Sequence, residues 1–223
     1  MARPTVNPLF SPVALCRFFL VAAVGLTIDI WTKSLAVSQL SNVSDPTKLT
    51  RGFLGDVQLK PLGPHELLPP CQIVDYIHGW LNFEFVQNPG AVFGFMPGKR
   101  VMFLIVSVVA TGFLTYLFSA SGRKWFYQII LGMLMAGVLG NMYDRGSEVG
   151  QVRDMIHALP GWYWPASVQH TLKFLQPQVF PYVFNVADTL LCTGVGLMLI
   201  YSFFNPPEEA KEKKPRAKTA EAQ

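Results

Sequence analysis

The chain has 223 residues, of which 51% are hydrophobic and only 14% are charged. A soluble domain usually has about 25% charged residues, so this composition and the mean hydropathy of +0.31 indicate a membrane protein rather than a soluble enzyme. The length is sufficient for one domain. The net charge of +4 does not come from a basic patch interleaved with aromatic residues, which argues against nucleic-acid binding.

The cysteines and histidines have none of the spacings that bind a metal. Cys16 and Cys192 lie in apolar runs, where cysteine behaves as a small hydrophobic residue, and with Cys71 they form an odd set for a disulfide framework. The sequence contains no H-E-x-x-H, no G-x-S-x-G and no phosphate-binding glycine loop. We therefore expect neither a metal nor an organic cofactor.

Four stretches are long and apolar enough to cross a bilayer, which requires about 20 largely apolar residues. Each is hydrophobic on all sides, as expected for a helix in lipid. They lie at about 14–37, 101–118, 126–143 and 182–204. The sequence therefore predicts an all-α membrane protein, a four-transmembrane-helix bundle forming one domain over residues 1–204.

The basic residues orient this bundle. Arg3 and Arg17 belong to the N-terminal arm, Arg123 and Lys124 join the second and third helices, and five more basic residues follow the fourth helix. Positive residues mark the cytoplasmic side, so both termini are expected in the cytoplasm. The long connections, about 38–100 and 144–181, then face outward. The charged, proline-rich tail 205–223 is predicted to be disordered.

The first long connection contains the segment 80-WLNFEFVQNPGAVFGF-95. Its alternation and aromatic content predict one or two strands that end at a turn on residues 88–90, and hence a small β-element on the outer membrane face. Residues 42–78 are rich in proline, glycine and polar residues, which predicts an irregular insertion. A second insertion, 158–181, carries tryptophans that suit the membrane interface.

Few polar residues lie in or beside the predicted helices, and such residues usually face the bundle interior and mark function. Asp29 and Lys33 are four residues apart and share one helix face, where they can pair. Either a structural ion pair or an active-site role fits this spacing. Asn141 and Asp144 are three apart at the end of the third helix, and Arg145 follows directly.

Two further acids, Asp154 and Asp188, belong to different elements but are expected to lie at a similar depth. When two acids share a site, repulsion and desolvation keep one protonated near neutral pH. One can then act as general base on a water while the other acts as general acid. Asn141, Asn185 and Arg145 are candidates to orient them. The alternative is that Asp154 is an ordinary loop acid and that Asp188 is favoured by a helix dipole.

Four blocks of the sequence, in this order, resemble the motifs of the lipoprotein signal peptidases, the signal peptidase II family. The family motifs are D-x-x-T-K, N-x-G-A-x-F, G-N-x-x-D-R followed by G-x-V-x-D, and F-N-x-A-D. The matching segments are 29-DIWTKSLA-36, 88-NPGAVFGF-95, 140-GNMYDRGSEVGQVRDMI-156 and 184-FNVADTLLCTG-194.

The resemblance implies an intramembrane aspartyl endopeptidase of the bacterial inner membrane, with no cofactor. It would hydrolyse prolipoproteins before the diacylglyceryl-modified cysteine, with Asp154 and Asp188 as the catalytic pair. Membrane lipids would surround it, and globomycin-type inhibitors would place a hydroxyl between the two acids. Asp144 would be structural. The family's supporting polar positions match Asp29, Lys33, Asn88, Gly90, Asn141, Arg145 and Asn185.

The sequence departs from the family pattern in three places. The spacing from Asp144 to Asp154 is one residue longer than usual, and the insertions at about 42–78 and 158–181 are unusual. Two other functions stay open on the residues alone. One is a small proton-coupled membrane carrier that uses the buried acids as a relay, although repeated helix units are lacking. The other is a catalytically silent relative that binds lipoproteins.

Overall fold

The computed structural model describes residues 7–40, 56–59, 72–89, 99–147, 150–171 and 176–205. Within this part of the chain, four helices are long and apolar enough to cross a membrane, which confirms the expected membrane-protein fold. They are α1 (Pro12–Leu40), α2 (Arg100–Ser119), α3 (Trp125–Gly146) and α5 (Val186–Phe204). A one-turn 3-10 helix, Pro8–Phe10, precedes α1, and the short α4 (Ala166–Thr171) precedes α5.

The fourth spanning helix begins later than the predicted position near residue 182. Val183 and Phe184 form a short strand instead, and Asn185 caps the helix, so α5 begins at Val186. An asparagine at this position favours a helix start because its side chain accepts a hydrogen bond from a free N–H of the first turn.

Helix α3 is the most buried of the four spanning helices and packs against the other three. It runs parallel to α1, since Gly25 lies against Ala136 and Lys33 bonds Asn141. Helix α2 follows α1 and precedes α3 in the chain, and it runs in the opposite direction to both. Helix α5 also runs antiparallel to α3. Near the N-terminal ends of α1 and α3, the bundle is closed by an apolar cluster whose centre includes Phe18, Phe118, Ile130 and Leu131.

Small residues allow the close approach of these helices, as the glycines in the third apolar stretch suggest. A Cβ atom at Gly137 would lie 2.6 Å from the Leu191 side chain and 2.7 Å from the Ala187 carbonyl oxygen. A Cβ atom at Gly132 would lie 2.9 Å from the Phe18 carbonyl oxygen. Backbones can meet at this range only without side chains between them, so α3 is held directly against α1 and α5.

The β-element is larger than the one or two strands predicted. Within the described residues, five antiparallel strands pair in the order β1-β2-β3-β4-β5, and two of them lie within 42–78, where an irregular insertion was expected. Strand formation depends strongly on a pairing partner, and β3 supplies one that composition does not reveal. The strands are β1 (Asp56–Leu59), β2 (Gln72–Ile77), β3 (Leu81–Asn88), β4 (Val152–Ala158) and β5 (Val183–Phe184).

The sheet is attached to the C-terminal end of α1 by a second apolar cluster. Ala36 and Leu40 of α1 pack against Val74, Phe85 and Met155 from three strands. Strand β4 follows α3 closely in sequence, and β5 leads directly into α5. The sheet therefore lies next to the end of the bundle at which the polar residues of α1, α3 and α5 meet. The tail predicted to be disordered, 205–223, lies outside the described residues from residue 206 onward.

We predict that Gly137→Ala lowers the stability of the protein by about 1–3 kcal/mol, because the added methyl group overpacks the α3–α5 contact. The measurement is thermal unfolding in detergent. Gly196→Ala on α5 is the matched control, since nothing lies within 4 Å of its Cβ position. Equal unfolding temperatures for the two variants would contradict the close packing of α3 and α5.

Candidate active site

Asp188 is held in the first turn of α5 by a reciprocal pair of hydrogen bonds. The Asp188 backbone N–H donates to Asn185 Oδ1 at 3.0 Å, and the Asn185 backbone N–H donates to Asp188 Oδ2 at 3.3 Å. This is a capping box, in which residues three apart satisfy two free N–H groups. The F-N-x-A-D spacing thus fixes the Asp188 side chain and leaves Oδ1 for a partner on another helix.

Asp154 lies on β4, opposite Val86 of β3, and is almost completely buried. Asn185 Nδ2 donates to its Oδ1 at 2.6 Å, and Asn88 Nδ2 donates to its Oδ2 at 2.9 Å. The same asparagine that caps α5 therefore also bonds the acid on the sheet. Both carboxyl oxygens of Asp154 are held by amides from different elements.

Asn141 on α3 completes the connection between the two acids. Its Nδ2 donates to Asp188 Oδ1 at 2.8 Å, and its Oδ1 accepts from Asn185 Nδ2 at 3.2 Å. The Lys33 ammonium also donates to Asn141 Oδ1, at 3.1 Å. Three asparagine side chains thus surround the carboxyl groups of Asp154 and Asp188, which come from β4 and α5.

Lys33 has no solvent exposure and is surrounded by carboxylates. Its ammonium lies 2.7 Å from Asp29 Oδ2 and 3.2 Å from Asp144 Oδ2. The other oxygen of Asp29 accepts the Ala187 backbone N–H at 2.8 Å. That N–H belongs to the first turn of α5 and has no partner within the helix, so the Asp29–Lys33 pair joins α1 to both α3 and α5.

Asp144 connects α3 to β4 through Arg153. The Arg153 side chain donates to Asp144 Oδ1 from Nε at 3.0 Å and from Nη2 at 2.6 Å. Its backbone N–H donates to Asp144 Oδ2 at 3.0 Å. This grip fixes the residue next to Asp154. The sequence reasoning did not single out Arg153. Its position next to Asp154 was a signal, because a basic residue there can pair with a buried acid.

Arg145 is mostly buried, and its guanidinium carbon lies 4.9 Å from the centre of the Phe103 ring. Its Nη1 is 3.4 Å from the Asn141 carbonyl oxygen. Arg100 of α2 donates from Nε to the Arg145 carbonyl oxygen at 2.7 Å and from Nη2 to that of Ser147 at 2.7 Å. Nothing in the sequence pattern pointed to Phe103 or Arg100.

Burial raises the pKa of the Asp154 carboxyl to about 7, and the nearby Asp188 adds to this effect. Hydrogen bonds from Asn88 and Asn185 act in the opposite direction but do not cancel it. A carboxyl group with this pKa exchanges its proton near neutral pH, as a general acid or base must.

A cavity of about 780 Å³ lies beside Asp154 along the sheet. Strand β3 contributes five residues to its lining, Asn82, Glu84, Val86, Gln87 and Asn88. Strand β4 contributes both Asp154 and His157. Residues three apart on a regular strand point to opposite faces. Here the pairing of β3 with β4 shifts register between Phe83 and Val86, and both side chains reach the same cavity.

The lining of this cavity also contains a second polar pair. His157 Nδ1 lies 2.9 Å from Glu84 Oε1, and both side chains are largely buried. The sequence reasoning singled out neither residue for the site. Of the predicted site residues, Gly90 lies outside the described residues, as does the rest of its block through residue 95. Within the described part of the chain, no cluster of three histidine, cysteine or acidic side chains suits a metal.

The four apolar helices define a multi-pass membrane protein. Its two buried carboxyl groups, which amides hold beside a cavity, form a site suited to proton transfer. Comparison with known proteins identifies the family. The profile described as signal peptidase (SPase) II matches residues 21–204. The chain belongs to this family, the lipoprotein signal peptidases, and is therefore a protease of the bacterial inner membrane that processes prolipoproteins.

Individual relatives agree with this assignment. A lipoprotein signal peptidase of Aquifex aeolicus is 31% identical over 161 residues, covering 70% of this chain and 83% of the relative. One from Anaeromyxobacter sp. is 29% identical over 206 residues, covering 86% of both chains. A bacterial membrane enzyme solved by the in meso method shares the fold, with a TM-score of 0.57, 24% identity and 96% of each chain covered. Family membership favours the peptidase over the carrier.

We predict that Lys33→Met destabilises the protein by about 3–5 kcal/mol, because it leaves Asp29 and Asp144 buried without their cation. Thermal unfolding in detergent, with the yield of folded protein, measures this loss. Lys124→Met serves as the control, since Lys124 is exposed at the start of α3. If Lys33→Met unfolded at the temperature of the control, the central ion cluster would not stabilise the bundle.

Proposed function

We propose that the chain is an aspartyl endopeptidase in which Asp154 and Asp188 activate a water between them. The scissile bond is the peptide bond before the diacylglyceryl-modified cysteine of a prolipoprotein. The observation that carries this proposal is the convergence of the two carboxyl groups, from β4 and α5, on one set of asparagine amides. Family membership supplies the substrate class.

The pair carries one proton at neutral pH, because two carboxyl groups at one buried site do not both ionise readily. The ionised carboxyl takes a proton from the water, whose oxygen bonds to the peptide carbonyl carbon. The protonated carboxyl bonds to the carbonyl oxygen as negative charge develops there. The carbon–nitrogen bond then breaks, and a proton passes from the pair to the nitrogen of the lipidated cysteine.

The surrounding residues hold this arrangement in place. Asn88, Asn141 and Asn185 fix the carboxyl oxygens so that they do not have to reorganise during the reaction. Lys33 holds Asn141 from the other side. Asp144 is structural in this scheme, because its two oxygens bind Arg153 and position β4. Globomycin-type inhibitors would bind here with a hydroxyl between the two acids.

We also propose an orientation for the peptidase domain, residues 1–204. Arg17 of α1 lies 12 positions before Asp29, which corresponds to about 18 Å along the helix axis. Arg123 and Lys124 precede α3 at the same end of the bundle as Arg17. By the positive-inside rule this end and both termini are cytoplasmic, and the sheet and the acids lie near the outer face, where acyl chains of the substrate meet membrane lipids.

Replacing either acid by its amide should abolish cleavage while leaving the protein folded. We expect Asp154→Asn and Asp188→Asn each to lower the rate at least about a hundredfold, because a general acid or base is lost. A gel-shift assay with a diacylglyceryl-modified prolipoprotein measures cleavage, and thermal unfolding checks the fold. Asp75→Asn, on β2 and outside the cavity lining, is the matched control. Full activity in either site variant would exclude that acid from catalysis.

The proposed shared proton also predicts the pH dependence of kcat/KM. Activity should fall as the pH rises above about 7, where Asp154 loses its proton and both acids are ionised. It should fall again at low pH, where both are protonated and no base remains. The resulting bell-shaped pH profile gives two apparent pKa values, which belong to the pair of acids rather than to single residues. A rate that stays constant from neutral to alkaline pH would contradict the mechanism.

A further inference from the structure

A second cavity, of about 350 Å³, lies at the end of the bundle away from the acids. We name it the arginine cavity, because the cationic side chains in its lining are Arg17 and Arg123. The first turn of α1 and the beginning of α3 complete it. The remaining lining residues are Ser11, Val13, Ala14, Gly122, Trp125 and Gln128.

Arg17 is held in a defined position by a buried amide. Its Nη1 donates to Gln128 Oε1 at 2.7 Å. Gln128 is almost completely buried, and its Nε2 donates to the Gly122 carbonyl oxygen at 2.9 Å and lies 3.3 Å from Ser121 Oγ. The Arg17 guanidinium has five N–H donors, and the bond to Gln128 fixes its direction while using one of them.

The electrostatics of the arginine cavity favour an anion. Among the described residues, no aspartate or glutamate lines it, and the acids of the described helices, Asp29, Asp144 and Asp188, lie at the opposite end of the bundle. Helices α1 and α3 both begin here, and α3 has no side-chain cap on its first turn. Its free N–H groups and helix dipole add positive potential to that of the two arginines.

The surroundings indicate that this anion carries acyl chains. Val13 and Trp125 line the cavity and are 64% and 58% exposed, and Phe10, which precedes the lining residue Ser11, is 83% exposed. Tryptophan is enriched at the level of lipid headgroups, and basic pockets between spanning helices suit anionic headgroups. We propose that the arginine cavity binds the phosphate of an anionic phospholipid, with Arg17 and Arg123 as its ligands. In the orientation proposed above, this lipid belongs to the cytoplasmic leaflet.

Native mass spectrometry of the full chain in detergent tests this proposal with phosphatidylglycerol and phosphatidylcholine as probes. We expect retention of phosphatidylglycerol and at least about fivefold weaker binding in Arg17→Gln and in Arg123→Gln. Lys124→Gln removes a charge next to Arg123 but outside the cavity lining, and should change binding by less than about twofold. Thermal unfolding checks that each variant is folded, and Arg123 is exposed enough to be replaced without disturbing packing.

Three outcomes would overturn the proposal. The first is an equal loss of phosphatidylglycerol binding in Arg123→Gln and Lys124→Gln, which would indicate an effect of diffuse charge. The second is equal retention of the two lipids. The third is displacement of phosphatidylglycerol by an equal concentration of inorganic phosphate, which would identify a free phosphate site. Prolipoprotein cleavage in detergent should be unchanged in Arg123→Gln. Because lipid retention is measured without cleavage, its result is independent of the proposed aspartyl mechanism.

Discussion

The ion pairs of the buried Lys33 ammonium with Asp29 and Asp144 are the interactions on which the rest of the structure depends. Lys33 is the single cation shared by Asp29 and Asp144 within the described residues, and each of these acids reaches a further element. Asp29 accepts from the first turn of α5, and Asp144 holds Arg153 at the beginning of β4. A charge in an apolar bundle is costly unless its partners surround it, and through these contacts the Lys33 cluster joins α1, α3, α5 and the sheet.

The arrangement gives two kinds of carboxyl group in one small volume. Asp29 and Asp144 lie against a cation, whereas Asp154 and Asp188 are held mainly by neutral amides. The charged contacts link α1, α3 and β4, whereas the amide contacts link α3, α5 and the sheet around the other two acids. The first set holds the elements together, and the second places neutral donors around the acids of the proposed site.

Much of this was predictable from sequence because spanning helices follow simple rules of length and polarity, and because the acid and amide residues occur at short, regular spacings. Asn185 was a candidate to orient the acids, and in the structure it forms a capping box with Asp188. Strands β1 and β2 were missed because their formation depends on pairing with β3. Arg153 was missed because its partner Asp144 lies on a different element, and Phe103 was missed because its partner Arg145 comes from another helix.

The shifted register between Phe83 and Val86 has a consequence for how this fold tolerates changes in length. Asn88 and Asp154 meet only if the number of residues in β3 and in β4 stays the same. A one-residue deletion in β3 would turn Asn88 to the opposite face of the sheet. Extra residues beyond the far ends of these strands alter no pairing. The segment between β4 and β5 lies in such a position, so its length does not change the pairing that brings Asn88 to Asp154.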